Sequence, residues 1–254
     1  MFVELILLLS AGFVGGFINS VAGGGSFVTF PALLFSGIPP VLANATNTFA
    51  ACAGYLSGAY AFRNELRAHK NALWHILPIS LIGGALGAWL LLQIPEAAFK
   101  AVVPWLLLFA TVMFVFGPKV NAALKQAASG HHHISKLGSY TLLLLLLLVC
   151  AYGGFFNAGL GIVALSYLAL AGYRDINSMN GLKLLISTAA SLTAIIIFVI
   201  EGAVVWSEGT ILLVGSLLGG YVAANVSKAI PAAYVKRFVV LIGGGMTTYF
   251  FVQA

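Results

Sequence analysis

The sequence predicts an all-α, polytopic membrane protein made of two inverted repeats, each a glycine-broken helical hairpin followed by three spans. Three observations predict this fold class. Hydrophobic residues make up 61% of the 254 positions and charged residues only 7%, whereas soluble domains carry roughly 25% charged residues. The apolar runs are about 18–24 residues long, which suits a spanning helix and exceeds a barrel strand. Short motifs also recur in the same order in both halves.

Uninterrupted apolar runs predict ordinary membrane spans at 40–62, 72–93, 101–118, 177–200, 208–227 and 234–252. Two further segments, 2–37 and 139–172, are too long for one crossing and too short for two. Gly23-Gly24-Gly25 interrupts the first of these segments, and Gly159-Leu160-Gly161 interrupts the second. We therefore expect each of the two segments to form a broken helical hairpin.

Recurring motifs predict an internal duplication. GGFIN at 15–19 recurs as GGFFN at 153–157, the glycines at 83 and 87 recur at 215 and 219, and IPEAAFK at 94–100 recurs as IPAAYVK at 230–236. We divide the chain into a first membrane repeat at 1–118, a basic cytoplasmic loop at 119–138 and a second membrane repeat at 139–254.

The distribution of Lys and Arg predicts that the two halves are inverted. If each broken segment returns as a hairpin, ten basic residues share one face, Lys100 lies on the other and Lys183 lies inside a span. If each segment crosses once, the basic residues divide almost evenly. Because Lys and Arg collect on the cytoplasmic face, the hairpin arrangement is favoured. Three full spans per half then invert the second half, as in many secondary transporters.

The first candidate binding constellation is a polar, glycine-rich run inside the first broken segment. Its members are Asn19, Ser20, Gly23, Gly24, Gly25 and Ser26. Glycines let the chain turn and leave amide N–H groups free at the start of the next helix, where the helix dipole favours anions. Close helix packing through small residues is the alternative interpretation. The counterpart in the second half keeps an amide, Asn157, and two glycines but has no hydroxyl group.

The span that follows each broken segment carries a polar face. Asn44, Asn47 and Thr48 share one face of the first of these spans, and we include Thr46 among the candidate ligands. In the second span the stripe consists of Asn177, Asn180, Lys183, Ser187 and Ser191. Burying Lys183 costs at least ~2.5–3.5 kcal/mol, so an anion-facing role is favoured over snorkelling of its ammonium to the interface.

Two stretches of this chain resemble a known family. The run GGFINSVAGGGSFVTFPALLFSGIPPVLANATNTFAACAG at 15–54 closely resembles the first-half signature of the TauE/SafE sulfite-exporter family, and MNGLKLLISTAASLTAI at 179–195 is similar to its second-half signature. The resemblance extends over essentially the whole chain. It implies export or facilitated movement of small sulfur-containing anions such as sulfite, sulfoacetate or other organosulfonates. The second glycine motif is Gly-Leu-Gly, where many relatives have a fuller glycine run.

These features together predict a multi-pass protein of the cell membrane, with the bacterial inner membrane expected, that transports a small anion by alternating access. An ungated anion channel is the alternative. An intramembrane hydrolase built on Ser26 would need a base within reach, and no histidine lies inside a span core. We therefore expect no enzyme activity.

Other expected partners follow from the same composition. We expect the lipid bilayer as surroundings and neither a nucleic acid, a cofactor nor a metal ion as partner. We interpret His131-His132-His133 as part of a hydrated basic loop.

Glycine pairs spaced by four residues, namely 12/16, 54/58, 83/87 and 215/219, fit close helix contact. Whether that contact lies within one chain or between the chains of a homodimer is left open.

Overall fold

A computed structural model describes residues 2–21, 23–128, 136–226 and 232–253. Throughout these residues the chain forms helices joined by short turns, without any strand. The first helices are α1 (Phe2–Val21), α2 (Ser26–Phe35), α3 (Pro40–Ala61), α4 (Arg63–Ala68), α5 (Lys70–Gln93) and α6 (Glu96–Ala128). They are followed by α7 (Lys136–Phe155), α8 (Leu160–Leu170), α9 (Ile176–Ile200), α10 (Trp206–Val226) and α11 (Ala232–Gln253). The predicted all-α class is confirmed.

Several of these helices could cross a membrane by their length and composition. Those long and apolar enough, among the described residues, cover Val3–Ser20, Lys70–Gln93, Glu96–Gly117 and Ile176–Ile200. Shorter apolar helices cover Ser26–Phe35, Tyr140–Phe155, Leu160–Leu170 and Arg237–Val252. Helix α3 is 22 residues long but carries buried Asn and Thr residues, which lower its apolar character while they pair with neighbouring helices. The protein is therefore a polytopic helical membrane protein.

Helix α6 is longer than the sequence pattern predicts. We predicted a span at 101–118, but α6 covers 33 residues and ends at Ala128. Residues 119–128 of the segment assigned to the basic loop are therefore helical. The reason is their composition, since Ala, Leu, Lys and Gln at these positions are strong helix formers. The rest of that loop, with His131-His132-His133, lies outside the described residues.

Both glycine-broken segments form a long helix followed by a short one. Helices α1 and α7 have 20 residues each, about 30 Å of helix and enough to cross a bilayer. Helices α2 and α8 have only 10 and 11 residues, about half that length. Gly23, Gly24 and Gly159 make the turns with φ of +72°, +103° and +78°, values that glycine adopts without steric cost.

The two halves interlock through small residues. Helix α1 packs along α10, and α5 packs along α7. A methyl group on Gly16 would lie 2.1 Å from the carbonyl oxygen of Ser216, and one on Gly87 would lie 2.0 Å from that of Ala151. The spaced glycines at 12/16, 83/87 and 215/219 thus mediate helix contacts within one chain.

Contacts at the helix ends fall into two groups. On one side, the Glu96 carboxylate accepts a 2.9 Å hydrogen bond from the N–H of Val41, and the same region holds a crevice lined by Pro39, Lys100 and Tyr249. On the other side, the ring of His69 lies 5.4 Å from that of Tyr173. The α4–α5 and α8–α9 connections, beside which Arg67, Lys70 and Arg174 lie, therefore adjoin each other.

The inverted relation of the halves stays a prediction, which fusion proteins can test. We expect alkaline phosphatase fused to either terminus to be active outside the cytoplasm, and green fluorescent protein at the same ends to stay dark. This result follows if the basic connections are cytoplasmic. The matched control places each reporter within 129–135, where the activities should be reversed. Fluorescent fusions at the termini would contradict the inverted arrangement.

Candidate functional site

The glycine turns of the two halves meet beside helix α9. A methyl group on Gly23 would lie 4.0 Å from the Cα of Gly161. The side chain of Lys183 in α9 lies against the same place, because its Cδ is 3.4 Å from where a Cβ on Gly161 would be. The structure thus brings the glycine motifs of the two halves together, and the lysine that the sequence singled out contacts the second of them.

Lys183 is a buried cation without an acidic partner. Its side chain is 5% exposed, and it is the one charged residue among those that the structure describes as buried. Its ammonium donates a 3.3 Å hydrogen bond to Oδ1 of Asn180, which leaves two further donors. The six carboxylates of the chain all lie at helix ends or in turns, at Glu4, Glu65, Glu96, Asp175, Glu201 and Glu208. Among the described residues, no buried carboxylate therefore balances the charge of Lys183.

The start of α9, which positions Lys183, is capped by Asp175. The carboxylate of Asp175 accepts a 2.7 Å hydrogen bond from the N–H of Ser178, as an N-cap residue does. This bond lowers the pKa of the exposed Asp175 carboxyl. The cap is therefore formed above the ordinary pKa of an aspartate and is lost as the pH falls through the lowered value.

Asn47 occupies in α3 the position that Lys183 occupies in α9. Each lies seven residues beyond the first residue of its helix, Pro40 or Ile176. Nδ2 of Asn47 donates a 3.1 Å hydrogen bond to Oγ of Ser26, the first residue of α2. Lys183 lies in the same way against the first turn of α8. The two halves therefore present different side chains, one neutral and one cationic, to equivalent helix starts.

Asn19 fixes the first glycine turn. Its Oδ1 accepts a 2.7 Å hydrogen bond from the N–H of Gly25. The next turn of α2 is held by Thr29, whose hydroxyl donates to Oδ1 of Asn47. The first N–H groups of a helix have no acceptor within it. Those of Phe27, Val28, Leu160 and Ile162 donate to carbonyls of the two turns. Among the described residues, the N–H groups of Ser26 and Gly161 are left as donors near the meeting point of the turns.

Asn157 does not repeat the role of Asn19. Its Oδ1 accepts a 2.7 Å hydrogen bond from the hydroxyl of Tyr55, and its Nδ2 lies 3.3 Å from Oγ of Ser191. The amide therefore links α3 to α9. The second turn is held instead by Tyr152, whose hydroxyl donates to the carbonyl of Ala158 at 2.6 Å.

Three other predicted site residues make contacts elsewhere. Nδ2 of Asn44 donates to the carbonyl of Phe155 at 2.8 Å, and Oγ1 of Thr46 accepts from the N–H of Val205 at 3.0 Å. The hydroxyl of Ser20 donates to the carbonyl of Gly16 in its own helix at 3.1 Å. These bonds hold neighbouring helices and turns in place. A role of these residues as substrate ligands stays a prediction.

Sequence reasoning did not single out Thr29 and Tyr55, although both belong to this network. Tyr55 could have been found, because it continues the face of Asn44, Asn47 and Thr48 at helical spacing. Thr29 is a single hydroxyl within an apolar run, and nothing in the pattern indicates that it contacts α3.

Adjacent substitutions in α1 can test the role of the first turn. We expect Asn19→Ala to lower stability by about 1 kcal/mol, the usual effect of removing a side-chain cap. We also expect weaker anion binding, because the first glycine turn loses the side chain that holds its shape. Ser20→Ala is the matched control for stability and should unfold like the unmodified protein, since the Ser20 hydroxyl donates to a carbonyl of its own helix. Thermal unfolding in detergent, with and without 2-hydroxyethanesulfonate, measures both effects. Equal behaviour of the two variants would contradict the assignment of Asn19.

Fold and site together define a polytopic helical membrane protein whose discontinuous helices meet beside a buried cation, an architecture typical of secondary transporters. The family model described as "Sulfite exporter TauE/SafE" matches residues 8–250. The chain belongs to the TauE/SafE family of membrane transporters, and the resemblance seen in the sequence is confirmed.

Curated relatives are similar to this chain over nearly its whole length. A "Probable membrane transporter protein" of Haemophilus influenzae is 32% identical over 246 residues, which cover 96% of this chain and 92% of the relative. "Probable membrane transporter protein ORF9" of a Sinorhizobium species is 32% identical, with 94% and 88% covered. "Probable membrane transporter protein YfcA" of Escherichia coli K12 is 26% identical, with 95% and 87% covered. No solved structure gave a significant match.

Proposed function

We propose that this chain exports small sulfur-containing oxyanions, such as sulfite, sulfoacetate and other organosulfonates, across the bacterial inner membrane by alternating access, without enzymatic conversion. The observation that carries the proposal is Lys183, a buried ammonium without a carboxylate partner beside the glycine turns of both halves. The family description supports the sulfur-containing substrate class.

The chemistry of the site suits a sulfonate or sulfite group. Such a group has three oxygens, which can accept hydrogen bonds from the two remaining donors of the Lys183 ammonium and from N–H groups at a helix start. Because Gly23 and Gly161 have no side chains, an anion can approach the backbone there closely. The attraction between opposite charges ~4 Å apart is on the order of 4 kcal/mol at an effective dielectric constant of ~20, which offsets part of the anion's desolvation.

The direction of transport is proposed from charge. The membrane potential, negative inside, favours the exit of an anion by ~2.3 kcal/mol per charge per 100 mV. Among the described residues, no carboxylate is buried with Lys183, so none is seen there to bind a coupling proton. We therefore propose export down the electrochemical gradient without a coupled proton.

The packing around the turns supports a carrier over an open channel. Lys183 is buried, and residues of α6 pack against both turns. A methyl group on Gly24 would lie 2.8 Å from the ring of Phe114, and one on Gly159 would lie 3.1 Å from Cβ of Ala110. An anion could leave such a closed site only after the helices move, as alternating access requires.

Counterflow in proteoliposomes tests this proposal. We expect purified protein to accumulate labelled sulfite or sulfonate transiently when the vesicles contain the unlabelled anion, with a rate that saturates. Protein-free vesicles are the control. A flux that rises linearly with concentration would support the channel alternative. Absence of flux for sulfite and every sulfonate tried, with correctly inserted protein, would overturn the proposed substrate class.

A further inference from the structure

The charges around the glycine turns indicate the valence of the transported anion. We infer that the site takes monoanions in preference to dianions, and that the residue at position 47 sets this preference. The inference rests on the proposed function and narrows its substrate class. It follows from the count of buried charges and from the matching positions of Asn47 and Lys183.

Lys183 supplies the buried charge at the glycine turns. The six carboxylates lie at helix ends or in turns, and Lys183 is the one charged side chain among the buried residues described. The empty site therefore carries a single positive charge. A bound monoanion makes the buried pair neutral, whereas a dianion leaves one buried negative charge without a partner. Burying an unpaired charge is strongly unfavourable, so the second charge of a dianion opposes binding.

Asn47 is the residue of the first half whose position matches that of Lys183. Asn47 lies at the same distance from the start of its helix, is 1% exposed and contacts the first residue of α2. Its amide is neutral and bonds the hydroxyls of Ser26 and Thr29. A second cation is therefore missing at the helix start where the duplicated plan would place it. We infer that this neutral residue restricts the site to one negative charge.

The chemical consequence concerns the group attached to the sulfonate. Hydrogen sulfite and alkyl or hydroxyalkyl sulfonates carry one charge and match Lys183. Two negative charges are carried by fully deprotonated sulfite, thiosulfate, sulfate and sulfoacetate. Sulfoacetate and 2-hydroxyethanesulfonate form a matched pair of similar size. Sulfoacetate carries a carboxylate where 2-hydroxyethanesulfonate carries a neutral hydroxymethyl group.

The test compares the affinities of that pair for the full-length protein. Calorimetry in detergent at pH 7 and constant ionic strength should give binding of 2-hydroxyethanesulfonate at least about 10-fold tighter than that of sulfoacetate, which corresponds to about 1.4 kcal/mol. Equal affinities, or tighter binding of sulfoacetate, would overturn the inference while leaving the proposed function in place. Binding of neither compound, nor of sulfite, would overturn the proposed function as well.

Substitution at position 47 tests the role of that residue. We expect Asn47→Lys to shift the affinity ratio at least about 10-fold toward sulfoacetate, because a second cation compensates the second negative charge. Asn47→Gln keeps a neutral amide and is the matched control, so its ratio should stay within about 3-fold of the original, within the usual context dependence of a neutral contact. A folded Asn47→Lys protein with an unchanged ratio would overturn the role of position 47. If that variant does not fold, the comparison in the unmodified protein still decides the monoanion preference.

Discussion

Replacing Lys183 by methionine is expected to abolish sulfite and sulfonate binding while leaving the protein folded. Loss of a buried charge partner weakens binding by about 2–5 kcal/mol, at least about 30-fold. Stability should stay unchanged or rise, because replacing an unbalanced buried ammonium with an apolar side chain of similar length removes its desolvation cost. A structural role for Lys183 predicts the opposite pair of results, with lower stability and little direct effect on binding.

The measurement combines calorimetry with thermal unfolding, and two variants on α9 serve as controls. Ser187→Ala removes a buried hydroxyl one helical turn from Lys183 and should keep most of the affinity. Lys183→Arg keeps the charge but enlarges the head group beside Gly161, where a methyl group would already lie 3.4 Å from the lysine Cδ. We expect it to bind with intermediate affinity. Wild-type affinity in Lys183→Met would remove the basis of the proposed site.

The helix boundaries could largely be predicted, because local chemistry determines them. Helix α3 begins at Pro40, since proline suits the first turn of a helix. Helix α9 begins after Asp175, whose side chain caps it. At both places the predicted and observed starts agree within one residue. Helix α6 was predicted too short because its polar C-terminal part, residues 119–128, is helical by composition without being apolar, and hydropathy alone marks only the apolar part.

The candidate site could be predicted in part. Lys183 and the glycine turns were visible in the sequence because a charge and irregular backbone at membrane depth are both costly and therefore uncommon. Their partners were not visible. The bond from Tyr55 to Asn157 joins residues 102 positions apart, and that between Thr29 and Asn47 depends on how α2 returns beside α3. Such pairs are decided by helix packing, which one sequence does not reveal.

The two halves share an order of helices but differ in the side chains at equivalent places. Both keep a long helix, a glycine turn, a short helix and a following span in the same order, so the backbone plan is duplicated. The side chains at equivalent places differ: Asn19 caps its own turn, whereas Asn157 links two other helices. Asn47 is neutral, whereas Lys183 is charged. The proposed site is therefore asymmetric, although the order of the helices around it is repeated.

Substitution of Gly219 by alanine is expected to destabilise the protein strongly. A methyl group there would lie 1.9 Å from the carbonyl oxygen of Phe13 and 2.7 Å from its carbonyl carbon. Because these are backbone atoms of α1, the clash can be relieved only by moving α1 away from α10. Overpacking typically costs ~1–3 kcal/mol, and occasionally more. That exceeds the gain of up to about 1 kcal/mol from replacing glycine with alanine in a helix.

The matched control for this prediction is Gly245→Ala in α11, where a methyl group would have no atom within 4 Å. That variant gains helix propensity without a clash and should unfold at the same or a higher temperature. Gly87→Ala tests the equivalent seam between α5 and α7, where the methyl group would lie 2.0 Å from the carbonyl oxygen of Ala151. We expect it to behave like Gly219→Ala. Thermal unfolding in detergent distinguishes the cases. Helix α1 also carries Asn19 and leads into the first glycine turn, so a displaced α1 should weaken anion binding even in protein that remains folded. Normal stability and normal binding in both Gly219→Ala and Gly87→Ala would contradict the close helix contacts on which the proposed site depends.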